Sequence, residues 1–85
     1  MVIEKFNLLG RRTSAAMLVL RGCFRGEDVA GVEPWSGEQT NTWSTTVHLR
    51  GDTGGTQARF CLEFPEGGED PIRVDIERGA LADDH

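Results

Sequence analysis

The sequence predicts a mainly β fold, either a small single-domain antiparallel sheet or a partly open barrel, with about five strands and room for one short helix. The first observation is that three consecutive segments, Thr45–Arg50, Gln57–Phe64 and Pro71–Glu77, alternate apolar and polar residues. Successive side chains of a strand point to opposite faces, so each segment has one apolar face and one polar face. The second observation is that short glycine-containing links join the segments, which predicts antiparallel pairing between neighbours.

The alternation also predicts which side chains face the core. The inward residues are Thr45, Val47, Leu49, Ala58, Phe60, Leu62, Phe64, Ile72, Val74 and Ile76. Only the N-terminal element and a tryptophan are available to cover them. We therefore expect Phe6, Leu8, Leu18 and Leu20 to lie across the sheet.

The N-terminal quarter is ambiguous between strand and helix. Residues 14–24 form an almost continuous apolar run in which alanine and methionine favour helix, whereas Leu-Val-Leu favours strand. The first interpretation is a hairpin of residues 2–9 and 14–24. The alternative is a helix at about residues 12–21, which would make the fold α+β, and periodicity alone does not decide between them.

Residues 25–43 are predicted to be a long irregular loop, because Gly26, Gly31, Pro34 and Gly37 interrupt them. Long loops in compact domains are often functional. This segment contains both tryptophans. We expect Trp43 to cover the core and Trp35, beside a proline, to be the exposed anchor for a partner. Residues 80–85 are predicted to be a polar C-terminal tail.

Length and charge limit the function classes. A chain of 85 residues forms one domain, residues 1–85, with a modest core. The formal net charge is −5, and residues 1–26 are basic whereas residues 27–85 are strongly acidic. Acidic surfaces disfavour direct nucleic-acid binding and favour a protein partner with a basic surface. No apolar run is long enough to span a membrane and no secretory signal is evident, so we expect a cytoplasmic protein without a membrane partner.

Catalytic and metal sites are weakly supported by the sequence. Two cysteines without metal-ligand spacing predict neither a zinc site nor another cofactor, and they leave open whether Cys23 and Cys61 are free or bridged. His48 and Cys61 share the outward face, but the sequence supplies no third catalytic group or oxyanion hole. Asp52 lies in one Asp-Thr-Gly string, which would need a homodimer to pair two carboxylates. We therefore expect a non-enzymatic protein, with a small Cys/His or dimeric Asp hydrolase as an alternative.

The remaining candidates predict protein binding. The expected partner-binding residues are Trp35, Glu66, Glu69, Asp70, Asp75 and Glu77. The favoured function is a small acidic module, monomeric or homodimeric, that inhibits its partner by blocking a basic nucleic-acid-binding surface. In size and charge alone it is similar to phage-encoded inhibitors, including anti-CRISPR proteins. A second alternative is a structural subunit of a phage or secretion assembly joined through a strand edge.

Overall fold

A computed structural model describes the backbone of residues 2–51 and 56–79 and the side chains of residues 7–51 and 56–79. The chain begins with helix α1 (Val2–Cys23). Strands β1 (Val29–Val32), β2 (Thr42–Leu49), β3 (Thr56–Glu63) and β4 (Arg73–Arg78) follow. No helix in this part of the protein combines the length and the apolar character that crossing a membrane requires. The predicted tail at 80–85 lies outside the described residues.

The strands form one open antiparallel sheet in the order β1-β2-β3-β4. The prediction of a mainly β fold is therefore confirmed, with four strands in the described residues instead of about five. Strands β2 and β3 pair without irregularity over eight residues, and Trp43 lies opposite Leu62. Strand β4 continues the same register from β3, with Val74 opposite Leu62 on its other side.

The first interpretation of the N-terminus is wrong, because residues 2–9 and 14–24 are not a hairpin. The alternative helix is correct in type and too short, since α1 extends beyond 12–21 at both ends. Its buried side chains recur every four residues, at Arg12, Ala16 and Leu20, and Phe24 continues this spacing just after the helix. Such spacing places side chains on one face of a helix, and that face packs on the sheet.

The segment 25–43, predicted to be irregular throughout, contains strand β1. Val32 pairs with Val47 of β2, and a bulge interrupts the register between Val29 and Gly31. Further along, Ser36 and Ser44 exchange backbone hydrogen bonds of 2.8 and 3.0 Å. The sequence missed β1 because four residues containing a glycine give too little alternation to recognise.

The core lies between α1 and the two central strands. The fully buried apolar residues come from the helix, the turn after it, β2, β3 and the residue that follows β3. They are Ala16, Leu20, Phe24, Trp43, Val47, Ala58, Phe60, Leu62 and Phe64. The predicted inward phase of β2 and β3, and the role of Trp43 as core cover, are confirmed.

Strand β4 has the predicted phase, but the core does not cover it fully. Its inward Val74 is 38% exposed, and Ile72 just before the strand is 63% exposed. Ile76 is half-buried and packs against the core. Of the helix residues expected to cover the sheet, Leu20 is buried, whereas Leu18 is 69% exposed and that prediction is wrong. Leu8 is half-buried, and the side chain of Phe6 lies outside the described residues.

Candidate protein-binding surface

The five predicted acidic residues lie in β4 and in the connection before it. We call Glu66, Glu69, Asp70, Asp75 and Glu77 the acidic surface. Asp75 lies opposite Cys61 and Glu77 opposite Arg59, so both point to the face of the sheet that α1 does not cover. Side chains two residues apart on a strand are about 6.7 Å apart on the same face. Both carboxylates are exposed to solvent.

The other three carboxylates lie in residues 64–72, the connection between β3 and β4. A backbone hydrogen bond of 2.9 Å from the amide of Gly68 to the carbonyl of Pro65 closes its turn. Gly67, between them, has φ of 69°, a conformation that glycine adopts without steric cost. The turn holds Glu66 at an exposed position, and Asp70 is exposed where the chain enters β4. The local sequence therefore presents these groups outward on a closed turn.

Arg12 fixes this connection to the helix. Its guanidinium donates to the carbonyl of Gly68 at 2.7 Å, to the carbonyl of Pro65 at 2.9 Å and to Oδ1 of Asn41 at 3.1 Å. It also lies 4.6 Å from the centre of the Phe64 ring, a favourable cation–π position. Only 6% of Arg12 is exposed. Sequence reasoning missed this residue, although its spacing of four from Ala16 placed it on the helix face that packs.

Part of the acidic surface is neutralised within the chain. Glu69 pairs with Arg11, Asp75 pairs with Arg73 at 3.2 Å, and Glu66 accepts a hydrogen bond of 3.0 Å from Asn41. The side chains of both ion pairs are about half exposed or more. Exposed pairs of this kind are weak and readily exchanged, with typical energies of about 0.2–1 kcal/mol. They leave the surface available to a stronger cationic partner.

The surface remains acidic after these pairs are counted. Residues 63–77 contain six carboxylates and a single basic residue, Arg73. Outside this segment, Arg11 of the helix pairs with Glu69, and Arg59 of β3 lies opposite Glu77. The surplus of negative charge therefore lies on β4 and its connection, and it gives this side of the sheet a field that attracts cations.

Trp35 does not belong to this surface. Its ring lies 5.9 Å from that of Trp43 and 6.0 Å from that of Phe60, measured between centroids, and the residue is half-buried. Its neighbour Ser36 pairs with β2, which is two strands, or about 10 Å, away from β4. Trp35 also packs on the covered face, whereas Asp75 and Glu77 point to the open one. The expectation of a joint Trp35–carboxylate site is therefore not supported by the geometry.

A salt bridge holds the far end of β4 near the helix. Arg78 donates to both carboxylate oxygens of Glu27 at 2.9 and 2.8 Å, and its guanidinium lies 5.1 Å from the centre of the Phe24 ring. These hydrogen bonds from Arg78 hold the pKa of the Glu27 carboxyl below its ordinary value, and the carboxylate raises the pKa of Arg78. Arg78 thus joins the end of β4 to Glu27 and lies over the ring of Phe24.

The pairing register separates the Cys61 and His48 side chains. Cys61 lies opposite Ser44 and His48 opposite Gln57, so the two are four residues, or about 13 Å, apart along the sheet. One hydrogen bond of 2.8 Å joins Nε2 of His48 to Oε2 of Glu33, and another of 3.1 Å joins Nδ1 of His48 to Nε2 of Gln57. This arrangement does not support a Cys/His nucleophile. The alternative based on Asp52 falls outside the described residues.

The cysteines are free and lie on different elements: Cys23 is exposed at the end of α1, and Cys61 is half-buried on the open face of β3. Within the described side chains, no three His, Cys, Asp or Glu residues converge on a point that could hold a metal ion. A depression of about 140 Å³ beside Asp75 is lined by Thr42, Cys61 and Arg73 among others. Typical small-molecule pockets have about 300–1,000 Å³, so this one is small for such a ligand.

Comparisons of the chain with protein-family models, with curated proteins and with solved structures give no match.

Proposed function

We propose that this protein is a non-catalytic binding module that inhibits a protein partner by occupying a basic, nucleic-acid-binding surface. The observation that carries the proposal is the acidic surface: carboxylates at fixed positions on β4 and on a turn that Arg12 attaches to the helix. A preformed charged surface loses little conformational entropy when it binds. The cytoplasmic location expected from the sequence stays a prediction.

The chemistry of this surface favours a cationic protein over nucleic acid. Phosphate backbones are bound by lysine and arginine, and residues 63–77 contain only one such side chain. Carboxylates two residues apart on a strand present negative charges in a row, as a phosphate backbone does. A partner that normally binds phosphates through clustered arginines would meet a competing ligand here.

The test compares two double variants with matched charge changes. In the first, Asp70→Asn and Glu77→Gln remove two charges from the acidic surface. In the control, Asp28→Asn and Glu38→Gln remove two exposed charges near β1 and in the link between β1 and β2. Each tagged protein is incubated with lysate of the organism that makes it, and the captured proteins are quantified by mass spectrometry at low and high salt.

We expect the wild-type protein and the control to capture the same partner, and the Asp70/Glu77 variant to capture about tenfold less, because complementary charges raise affinity and association rate. Capture should fall as salt rises, because exposed charges are screened over about 8 Å at physiological ionic strength. Added single-stranded DNA should release the partner. Equal capture by the two double variants, or a partner that DNA does not displace, would contradict the proposal.

A further inference from the structure

Strand β4 has a free edge in the described part of the chain. It pairs with β3 on one side, and no described strand lies on the other. The amide of Gly79 donates to the carbonyl of Gln57 at 2.9 Å, and these two residues continue the register by one step beyond the pair Ala58 and Arg78. Because hydrogen-bonded and non-bonded pairs alternate in an antiparallel ladder, Asp75 and Glu77 face β3 with their backbone groups. The amide and carbonyl of Val74 therefore point to the free edge.

Strand β4 and the residue just before it have exposed apolar side chains. Val74 is 38% exposed, and Ile72 is 63% exposed. A free strand edge beside exposed apolar side chains is a template for pairing with another strand. The partner strand has to offer apolar groups on one face and complementary charges on the other.

Strand β4 itself meets both requirements. We propose that β4 pairs antiparallel with β4 of a second copy of this chain, with Val74 opposite Val74 at the two-fold axis. Arg73 then lies opposite Asp75 of the second copy, and the symmetry makes this ion pair twice. On the core-facing side, the two Val74 side chains meet, and Ile72 approaches Ile76 of the other copy. The two Val74 residues exchange a pair of backbone hydrogen bonds, as their outward-pointing groups require.

Neighbouring registers are less favourable. With Asp75 at the axis, the two Asp75 carboxylates are directly opposite each other, and like charges in that position are destabilising. With Ile76 at the axis, Asp75 lies opposite Glu77 of the second copy, and this repulsion occurs twice. Charge complementarity therefore selects the register centred on Val74.

The opposite edge of the sheet explains why the assembly closes as a dimer. Strand β1 has four residues and a bulge between Val29 and Gly31. Short and bulged edges resist pairing. Among the described strands, two copies joined through β4 leave only the β1 edges unpaired, so the two-fold contact ends the assembly instead of continuing as a filament. This dimer does not rest on the proposed function.

The first test measures mass against concentration by size-exclusion chromatography with light scattering. The wild-type protein should move from 9.3 kDa toward twice that mass as concentration rises through the micromolar range. Val74→Lys places two ammonium groups together at the axis, and we expect it to weaken the dimer about tenfold or more. The matched control Ala30→Lys adds the same charge to the exposed position of β1 and should dimerise like wild type. A wild-type protein that stays at 9.3 kDa throughout overturns the proposal.

A charge exchange tests the register itself. Arg73→Glu alone puts two carboxylates opposite each other and should abolish dimerisation, and Asp75→Arg alone should do the same with two guanidiniums. The double variant restores both pairs in reversed order and should dimerise again. Circular dichroism confirms that each variant is folded. If the double variant remains monomeric while folded, the Val74-centred register is wrong.

Disulfide formation gives an independent check. In a chain with Cys23→Ser and Cys61→Ser, Val74→Cys brings two cysteines to the axis. Their Cα atoms would be about 5.5 Å apart, which falls within the range that a disulfide spans. Mild oxidation should therefore link two chains through residue 74 much faster than through a cysteine at residue 30. Equal rates at the two positions contradict the proposal.

Discussion

The two outer strands of the sheet differ in what covers their core-facing side chains. Val29 and Val32 of β1 pack against the core, and Trp35, just after this strand, closes over Trp43. On the other side, Val74 of β4 is only partly covered although it pairs directly with a buried residue of β3. The lesson is that the residues packed over the sheet, and not the strand pattern, decide which part of an amphipathic sheet becomes core.

We expect the largest difference in stability between substitutions of two residues that lie opposite each other on neighbouring strands. Leu62 and Val74 are opposite in the register, yet Leu62 is 2% exposed and Val74 is 38% exposed. We expect Leu62→Ala to lower the free energy of unfolding by about 2–5 kcal/mol, because it leaves a cavity in the core. Val74→Ala should cost less than about 1 kcal/mol. Urea denaturation of dilute protein measures both, and equal losses would show that β4 is covered as well as β3.

A second pair of variants compares the links on the two sides of the sheet. Gly37, between β1 and β2, has φ of 83°, and a Cβ there would lie 2.3 Å from the carbonyl oxygen of Thr42. Gly67, before β4, has φ of 69° and no atom within 4 Å of such a Cβ. We expect Gly37→Ala to cost about 2–3 kcal/mol and Gly67→Ala about 1 kcal/mol. Thermal unfolding of both variants checks the difference, and a milder effect at Gly37 would refute it.

Adjacent arginines on the helix provide a third contrast. Arg12 satisfies two backbone carbonyls of the β3–β4 connection, whereas Arg11 makes one exposed ion pair. Arg12→Met should cost about 1–3 kcal/mol, because those carbonyls lose their donors. Arg11→Met should cost less than about 0.5 kcal/mol. If chemical denaturation ranks the two variants the other way, Arg12 does not hold the connection in place.

The smallest expected effect is a pH dependence at the end of β4. The pKa of Glu27 is lower in the folded protein than its ordinary value of 4.5, because Arg78 donates two hydrogen bonds to it. The stabilisation is therefore present above the ordinary pKa and is lost as pH falls through the lower folded-state pKa. Glu27→Gln should remove this part of the acid sensitivity. Melting temperatures measured between neutral and acidic pH for both proteins test it, and parallel curves would contradict the assignment.

The sequence predicts β2 and β3 well because each strand has one buried and one exposed face along its whole length. Alternation reports that arrangement directly. For β4 the alternation gives the correct phase, but it does not report how much of the inward face the helix reaches. Burial at Val74 depends on where α1 lies, and that position is set by contacts between residues far apart in the chain.

The predictions of the helix and of the site were limited for the same reason, because both depend on contacts between residues far apart in the chain. Residues 14–24 are apolar enough for either element, and the decisive spacing of four begins at Arg12, a charged residue that a hydrophobicity pattern leaves out. The acidic side chains of β4 were identifiable from the strand phase. The packing of Trp35 against Trp43 and Phe60 was not, because it depends on how the segment between β1 and β2 folds back.

The hydrogen bonds of Arg12 also bear on the time at which the protein becomes stable during synthesis. The helix leaves the ribosome before the four strands do, but the carbonyl acceptors of Arg12 belong to Pro65 and Gly68. A nascent chain that ends before Leu62 has a helix without its main polar contacts and a core without Leu62 and Phe64. Native structure therefore has to wait until the residues through Gly68 have emerged, and until then the apolar face of α1 is a natural substrate for chaperones.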